Sequence, residues 1–133
     1  MLTKIKVQDE TTFSLGKPEN VLNVFVNGET ITVRELIRSR IFQEVETYNQ
    51  QLPKSFHLFV QPNDAKRKLN GYQMKKPRLI DSQAQYELAL QAFENNGFLI
   101  LAGDWQVGGL EDEIRLHPGT EVTFLKLAPI FGG

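Results

Sequence analysis

The sequence predicts an α+β domain in which one amphipathic helix lies across a mixed sheet. Three observations point there. Two strand-like runs flank Asn27-Gly28 and lead directly into a helical stretch, a second helical stretch begins near residue 81, and residues 98–127 are strand-rich again. A chain of 133 residues suits one domain with its own core.

Residues 1–20 are the least patterned. Ile5, Val7, Phe13 and Leu15 alternate weakly around the polar run Gln8–Thr12, and Gly16-Lys17-Pro18 ends the pattern. The segment reads as an extra strand, a loose hairpin or an arm. From Val21 the signal sharpens: VLNVFV, then Asn27-Gly28, then alternation through Val33. Asn-Gly between two such runs predicts a hairpin, because both turn residues must take positive φ. Thr32-Val33-Arg34-Glu35 is a capping box, and Val33, Leu36, Ile37, Ile41, Val45 and Tyr48 recur as one helical face. Asn49 and Pro53 bracket the end of that helix.

Residues 54–80 are less regular. Phe56–Val60 suggests a short strand stopped by Pro62, and Asn70, Gly71 and Pro77 suggest loop. Asp81 or Ser82 caps a second helix with Tyr86, Ala89, Leu90 and Phe93 as its apolar stripe, closed by Asn95-Asn96-Gly97. Phe98–Leu101 is a buried-strand run, Gly103-Asp104 a turn, and Trp105–Val107 a short edge with Trp105 packed beneath it. After a Gly108-Gly109 loop, residues 120–127 alternate into a final strand that Pro129 brings out of the sheet.

Composition excludes several chemistries. With no cysteine there are no disulfides, thiolate metal sites or cysteine nucleophile. His57 and His117 are the two imidazoles, and both read as structural or surface residues. Glu111-Asp112-Glu113 with Asp104 has the composition of a cation site but not the ligand spacing of an EF-hand loop, so a solvated acidic face is expected and no metal site. No Ser/His/Asp arrangement and no phosphate-binding loop appears, so no catalytic residue is assigned. No apolar run reaches the ~18–20 residues of a membrane span. MLTKIKVQDE lacks a signal peptide's apolar stretch, which makes the cytoplasm the expected location.

Charge is divided along the chain. Residues 1–80 hold thirteen Lys and Arg against eight Asp and Glu, and residues 81–133 hold two against eight. Such polarity favours oriented docking on a charged partner. The cluster Lys66, Arg67, Lys68, Lys75, Lys76 and Arg78 reads as a solvated loop or a docking patch for an acidic partner. Nucleic acid is disfavoured, since little aromatic interleaving accompanies the charge beyond Tyr72.

The order of elements, with a tail after the last strand, resembles the β-grasp fold, and the residues make the comparison specific. Leu99–Gly103 resembles the third strand and following turn of ubiquitin, Gly108 and Leu110–Ile114 its next loop, and Val122–Leu127 its last strand. Asn23–Gly28 followed by Val33–Leu36 resembles the opening hairpin and helix of the small sulfur carriers of thiamine and molybdopterin synthesis. Those carriers also end in an apolar, proline-containing tail with Gly-Gly, as LAPIFGG does here. The likeness covers about residues 21–51 and 98–133, leaving 1–20 as an extension, 52–97 as an insertion with the second helix, and 129–133 as a protruding tail.

The resemblance implies a bacterial-type ubiquitin-like modifier that is a substrate and not an enzyme. A partner adenylates the Gly133 carboxylate with ATP and Mg2+, and the tail then passes to an amine on a target protein. Gly132 and Gly133 thread a narrow channel because glycine tolerates close backbone approach. Pro129 stiffens the tail root, and Ile130 and Phe131 offer apolar anchors. The implied partners are an adenylating activating enzyme, a conjugating enzyme, a deconjugating metalloprotease and target proteins, with no membrane. The sheet face and the acidic segment 104–121, with Trp105, Glu111 and Asp112, are the expected docking surface. Two other readings stay open: a sulfur carrier whose Gly133 becomes a thiocarboxylate, and a non-covalent β-grasp interaction module.

Overall fold

The computed structural model describes every residue except 1, 15, 69, 70, 118 and 133. In chain order the elements are β1 (Leu2–Thr11), β2 (Asn20–Asn27), β3 (Thr30–Thr32), α1 (Val33–Gln51), β4 (Ala65–Lys68), β5 (Gly71–Met74), α2 (Ser82–Glu94), β6 (Phe98–Ala102), β7 (Trp105–Gln106), β8 (Glu113–Arg115) and β9 (Glu121–Lys126). They form a mixed α+β structure around a five-stranded sheet of order β2-β1-β9-β6-β7. β1 runs antiparallel to β2 and parallel to β9, and β9 runs antiparallel to β6. Two small antiparallel pairs, β3-β8 and β4-β5, complete it.

The period-2 pattern fixes which face is inside. Ile5 and Val7 of β1, Val24 and Val26 of β2, Val122 and Phe124 of β9, and Phe98 and Ile100 of β6 are buried together. From the other side α1 adds Val33, Leu36, Ile37, Ile41, Val45 and Tyr48, the same stripe its sequence spacing marks. Thr32 accepts from the Glu35 amide at 3.1 Å while Glu35 accepts from the Thr32 amide at 3.3 Å, so the capping box is made. The helix stops one residue before Pro53, where Leu52 takes the left-handed conformation and returns its amide to the Tyr48 carbonyl. α2 is capped by Asp81, whose carboxylate accepts from the Gln83 and Ala84 amides.

The two ends of the chain depart from expectation. Residues 2–11, read as part of an extension, form a strand in the interior of the sheet, between β2 and β9. Its ladder with β2 runs from Leu2–Asn27 to Asp9–Asn20. That long pairing takes the edge of β2 that a hairpin across Asn27-Gly28 would need. Of the pair only Gly28 takes positive φ, so the expected two-residue turn is not made. A bend there sends β3 away to pair with β8 instead. The other edge of β2 is covered at Phe25, whose amide donates to the Gln43 Oε1 of α1 at 2.9 Å and whose carbonyl accepts from Gln43 Nε2.

The segment after α1 also has more structure than its sequence suggests. β4 and β5 make a hairpin, and Tyr72 exchanges backbone hydrogen bonds of 2.8 and 2.9 Å with Phe56. Gly71 sits at positive φ, and a Cβ there would lie 2.7 Å from the Phe56 carbonyl oxygen, so this contact requires glycine. Phe56–Val60 is not a strand, yet Leu58, Phe59 and Val60 are buried. No described helix is long and apolar enough to cross a membrane.

Candidate functional site

The tail that follows β9 does not protrude. Leu127 and Ala128 donate their amides to the Gly97 carbonyl, and the chain then turns onto the segment before β4. There Gln61 donates its amide to the Ile130 carbonyl at 3.0 Å, and Gly132 donates its own to the Gln61 carbonyl at 2.9 Å. Phe131 and Gln61 thus form a parallel bridge. Ile130 is 7% exposed and belongs to the core, whereas Phe131 is 53% exposed and faces outward. Beneath Gly132 lies Leu88 of α2, so close that any Cβ on Gly132 would collide with it. Gly133 lies outside the described residues.

Magnitudes show how firmly this tail is held. Burying an isoleucine is worth about 1.5–3 kcal/mol, and each backbone bond about 1 kcal/mol. Ordering Ile130, Phe131 and Gly132 costs about 1–2 kcal/mol per residue. At the favourable end of these ranges the docked tail is held by about 2 kcal/mol, well below the stability of a whole domain. Gln61 adds a further cost. Its side chain donates to the Leu58 carbonyl, but its Oε1, like that of Gln85 nearby on α2, is buried without a partner among the described residues.

Where β9 meets the tail, an ionic cluster does the opposite. Arg40 of α1 is fully buried and forms a bidentate pair with Asp9 of β1, 2.6 Å for the longer bond, while its Nε reaches Glu44 at 3.4 Å. Glu44 in turn accepts from the Phe59 amide at 2.7 Å. The guanidinium lies over the rings of Phe59 and Phe124, and the Lys126 ammonium lies 4.7 Å from the Phe59 ring centre. Burial pushes the Asp9 carboxyl up, but the charge and hydrogen bonds of Arg40 outweigh it and hold the group below its ordinary value. For Glu44 burial wins and raises the carboxyl. Burial lowers the Lys126 ammonium. For Arg40 the desolvation cost is overcome by Asp9 and Glu44, which keep it cationic.

The expected docking residues are not gathered into one surface. Lys66, Arg67 and Lys68 are exposed along β4, with Lys75 and Lys76 just past β5. Arg78 is engaged with Asp64 at 3.0 and 3.1 Å. On the acidic side, Glu111 pairs with Arg34 at 2.8 Å. Asp112 accepts from the Gly108 and Gly109 amides, so it closes a turn. The first turn of α1 rests on the same loop through the Leu110 and Asp112 carbonyls. Trp105 is 54% exposed at the sheet edge, which corrects the expectation that it packs beneath its strand. An open groove of about 590 Å³ lies between the tail, the β1-β2 turn and the basic hairpin, lined by Phe13, Arg67, Lys68, Tyr72 and Phe131 among others.

Sequence reasoning missed Gln61, Leu88 and Arg40. Gln61 acts through its backbone, which carries no side-chain signature. Leu88 lies beside the stripe marked on α2 and not in it. Arg40 and Glu44 were not legible either, since Glu44 reads as part of the helix's polar faces yet its side chain is buried. Compared with known proteins, the chain matches no family model, and no curated protein or solved structure is significantly similar to it.

Proposed function

We propose that the chain is a ubiquitin-like protein modifier of β-grasp topology, conjugated through the carboxylate of Gly133. The observation that carries this reading is the place of the last strand. β9 enters the sheet between β1 and β6, parallel to the first strand, and continues directly into LAPIFGG. A hairpin, a covering helix and a late parallel strand beside the first suit the β-grasp order that the residues resemble.

The chemistry resides in a main-chain carboxylate and not in a side chain. The partner enzyme joins the Gly133 carboxylate to the α-phosphate of ATP, releasing pyrophosphate. A partner thiol displaces AMP to form a thioester, and a target amine displaces that thiol to leave an amide. ATP and Mg2+ belong to the partner.

The test incubates the purified chain with an adenylating enzyme of the ubiquitin-activating type, ATP, Mg2+ and acceptor proteins, and reads intact mass. Amine-linked adducts support the modifier, and deletion of Gly133 should abolish them. In a second incubation with a sulfide donor in place of the acceptors, displacement of AMP by sulfide, read as replacement of one oxygen by sulfur, would instead favour the sulfur carrier, for which the apolar, proline-containing tail speaks. No change in either assay leaves the non-covalent module.

A further inference from the structure

We infer that the segment Ile130–Gly132, seated on Gln61 and Leu88, is a latch that must open before an activating enzyme can take the tail. This regulatory role rests on the modifier reading above, whereas the closed latch itself does not. Both backbone groups of Gln61 are committed to the tail, one accepting from Gly132 and one donating to Ile130. An enzyme that threads an extended tail needs those same groups of Ile130 and Gly132 free to bind. Docking on Gln61 and docking in an enzyme channel therefore exclude each other.

The seat is specific. Gly132 has φ near 156°, a conformation that side chains rarely adopt, and a Cβ there would also crowd Leu88, so the closed form itself favours glycine at this position. Ile130 is the apolar plug that holds it. Gln61 and Leu88 both lie within residues 52–97, the stretch that a minimal fold of this resemblance lacks. That stretch thus seats Ile130–Gly132 of its own chain.

Amide exchange at Gln61, followed by NMR, reads the latch with no partner present. The wild-type amide should be protected. Leu88→Phe, which fills the seat of Gly132 while leaving the tail unaltered, should speed its exchange at least about tenfold, equivalent to about 1.4 kcal/mol of opening free energy. Gly132→Ala should do the same, since φ near 156° strains any side chain there as well as crowding Leu88. Should Leu88→Phe fail to fold, Gly132→Ala carries the exchange test alone. Free exchange at Gln61 in the wild type, or protection unaltered by Gly132→Ala, would overturn the latch.

The regulatory role is read by ATP–pyrophosphate exchange with the activating enzyme. Leu88→Phe should raise kcat/KM about tenfold over wild type. Equal values would overturn the role of the latch in activation while leaving the modifier reading intact. If no variant supports exchange although the amides show Leu88→Phe open, the modifier reading fails and the regulatory role fails with it.

Discussion

β9 and the tail that continues it are one stretch of chain held in two different ways. β9 has a strand on either side, places Val122 and Phe124 in the core, and lies beside the Arg40 cluster. Among the described residues, the tail's backbone meets Gly97 at its root and Gln61 beyond it, and Ile130 is its one buried side chain. Dense and mutually dependent contacts make the first region part of global stability. The second rests on few contacts and stands outside that dense set. A chain can anchor the root of its tail firmly while holding the residues beyond it by a handful of contacts.

The comparison breaks most severely at Arg40. Arg40→Met leaves Asp9 and Glu44 as buried carboxylates without their cation, and should cost about 3–5 kcal/mol in urea unfolding. A loss below about 1 kcal/mol would show that the anchor lies elsewhere. Acid probes the same cluster more gently. Because Asp9 binds its proton less readily folded than unfolded, its contribution is present above the ordinary value of ~3.9 and drains as the pH falls through the lower folded one. Glu44 has the opposite sign: burial raises it in the folded state, so the cost of its charge is relieved as the pH falls through that raised value towards the ordinary ~4.3. Unfolding midpoints should therefore hold or rise slightly towards pH ~4.5 and fall steeply below ~4, and Asp9→Asn should remove the fall.

Two smaller effects sharpen the contrast. Thr32→Ala removes the cap of α1 and should cost about 1 kcal/mol of global stability. Ile130→Ala tests the tail. A buried Ile→Ala ordinarily costs about 2–5 kcal/mol. Here the penalty is capped by the small net stability of the docked tail, because the mutant simply undocks. The expected change in the urea midpoint is equivalent to no more than about 2 kcal/mol, alongside loss of protection at the Gln61 amide. A full core-sized penalty would place the tail in the same cooperative unit as β9.

Much of the molecule was legible in its residues, for local reasons. The stripe of α1, its capping box, the Asp81 cap of α2, the Gly103 turn and the runs of β6 and β9 depend on neighbours within one or two turns of chain. The Arg40 cluster was not legible: Glu44 reads as part of the helix's polar faces yet its side chain is buried, and the partner Asp9 lies thirty-one residues away in sequence. Of the candidate site, the apolar, glycine-ended tail was visible, and its seat was not. Asp112 is exposed as expected of an acidic face but also closes a turn, a role that composition does not show.

Local sequence settled where helices begin and end, which faces are apolar, and that no cysteine chemistry is available. Tertiary structure decided which strand takes the edge of β2, which way Asn27-Gly28 sends the chain, and whether the tail is free. The reason is physical. Periodicity and caps are set by the geometry of adjacent residues, whereas strand partners and the docking of a tail are competitions between distant backbone groups that any sequence can supply. β1 won the first by offering a longer ladder than β3, and Gln61 holds the tail with main-chain atoms that leave no mark in its side chain.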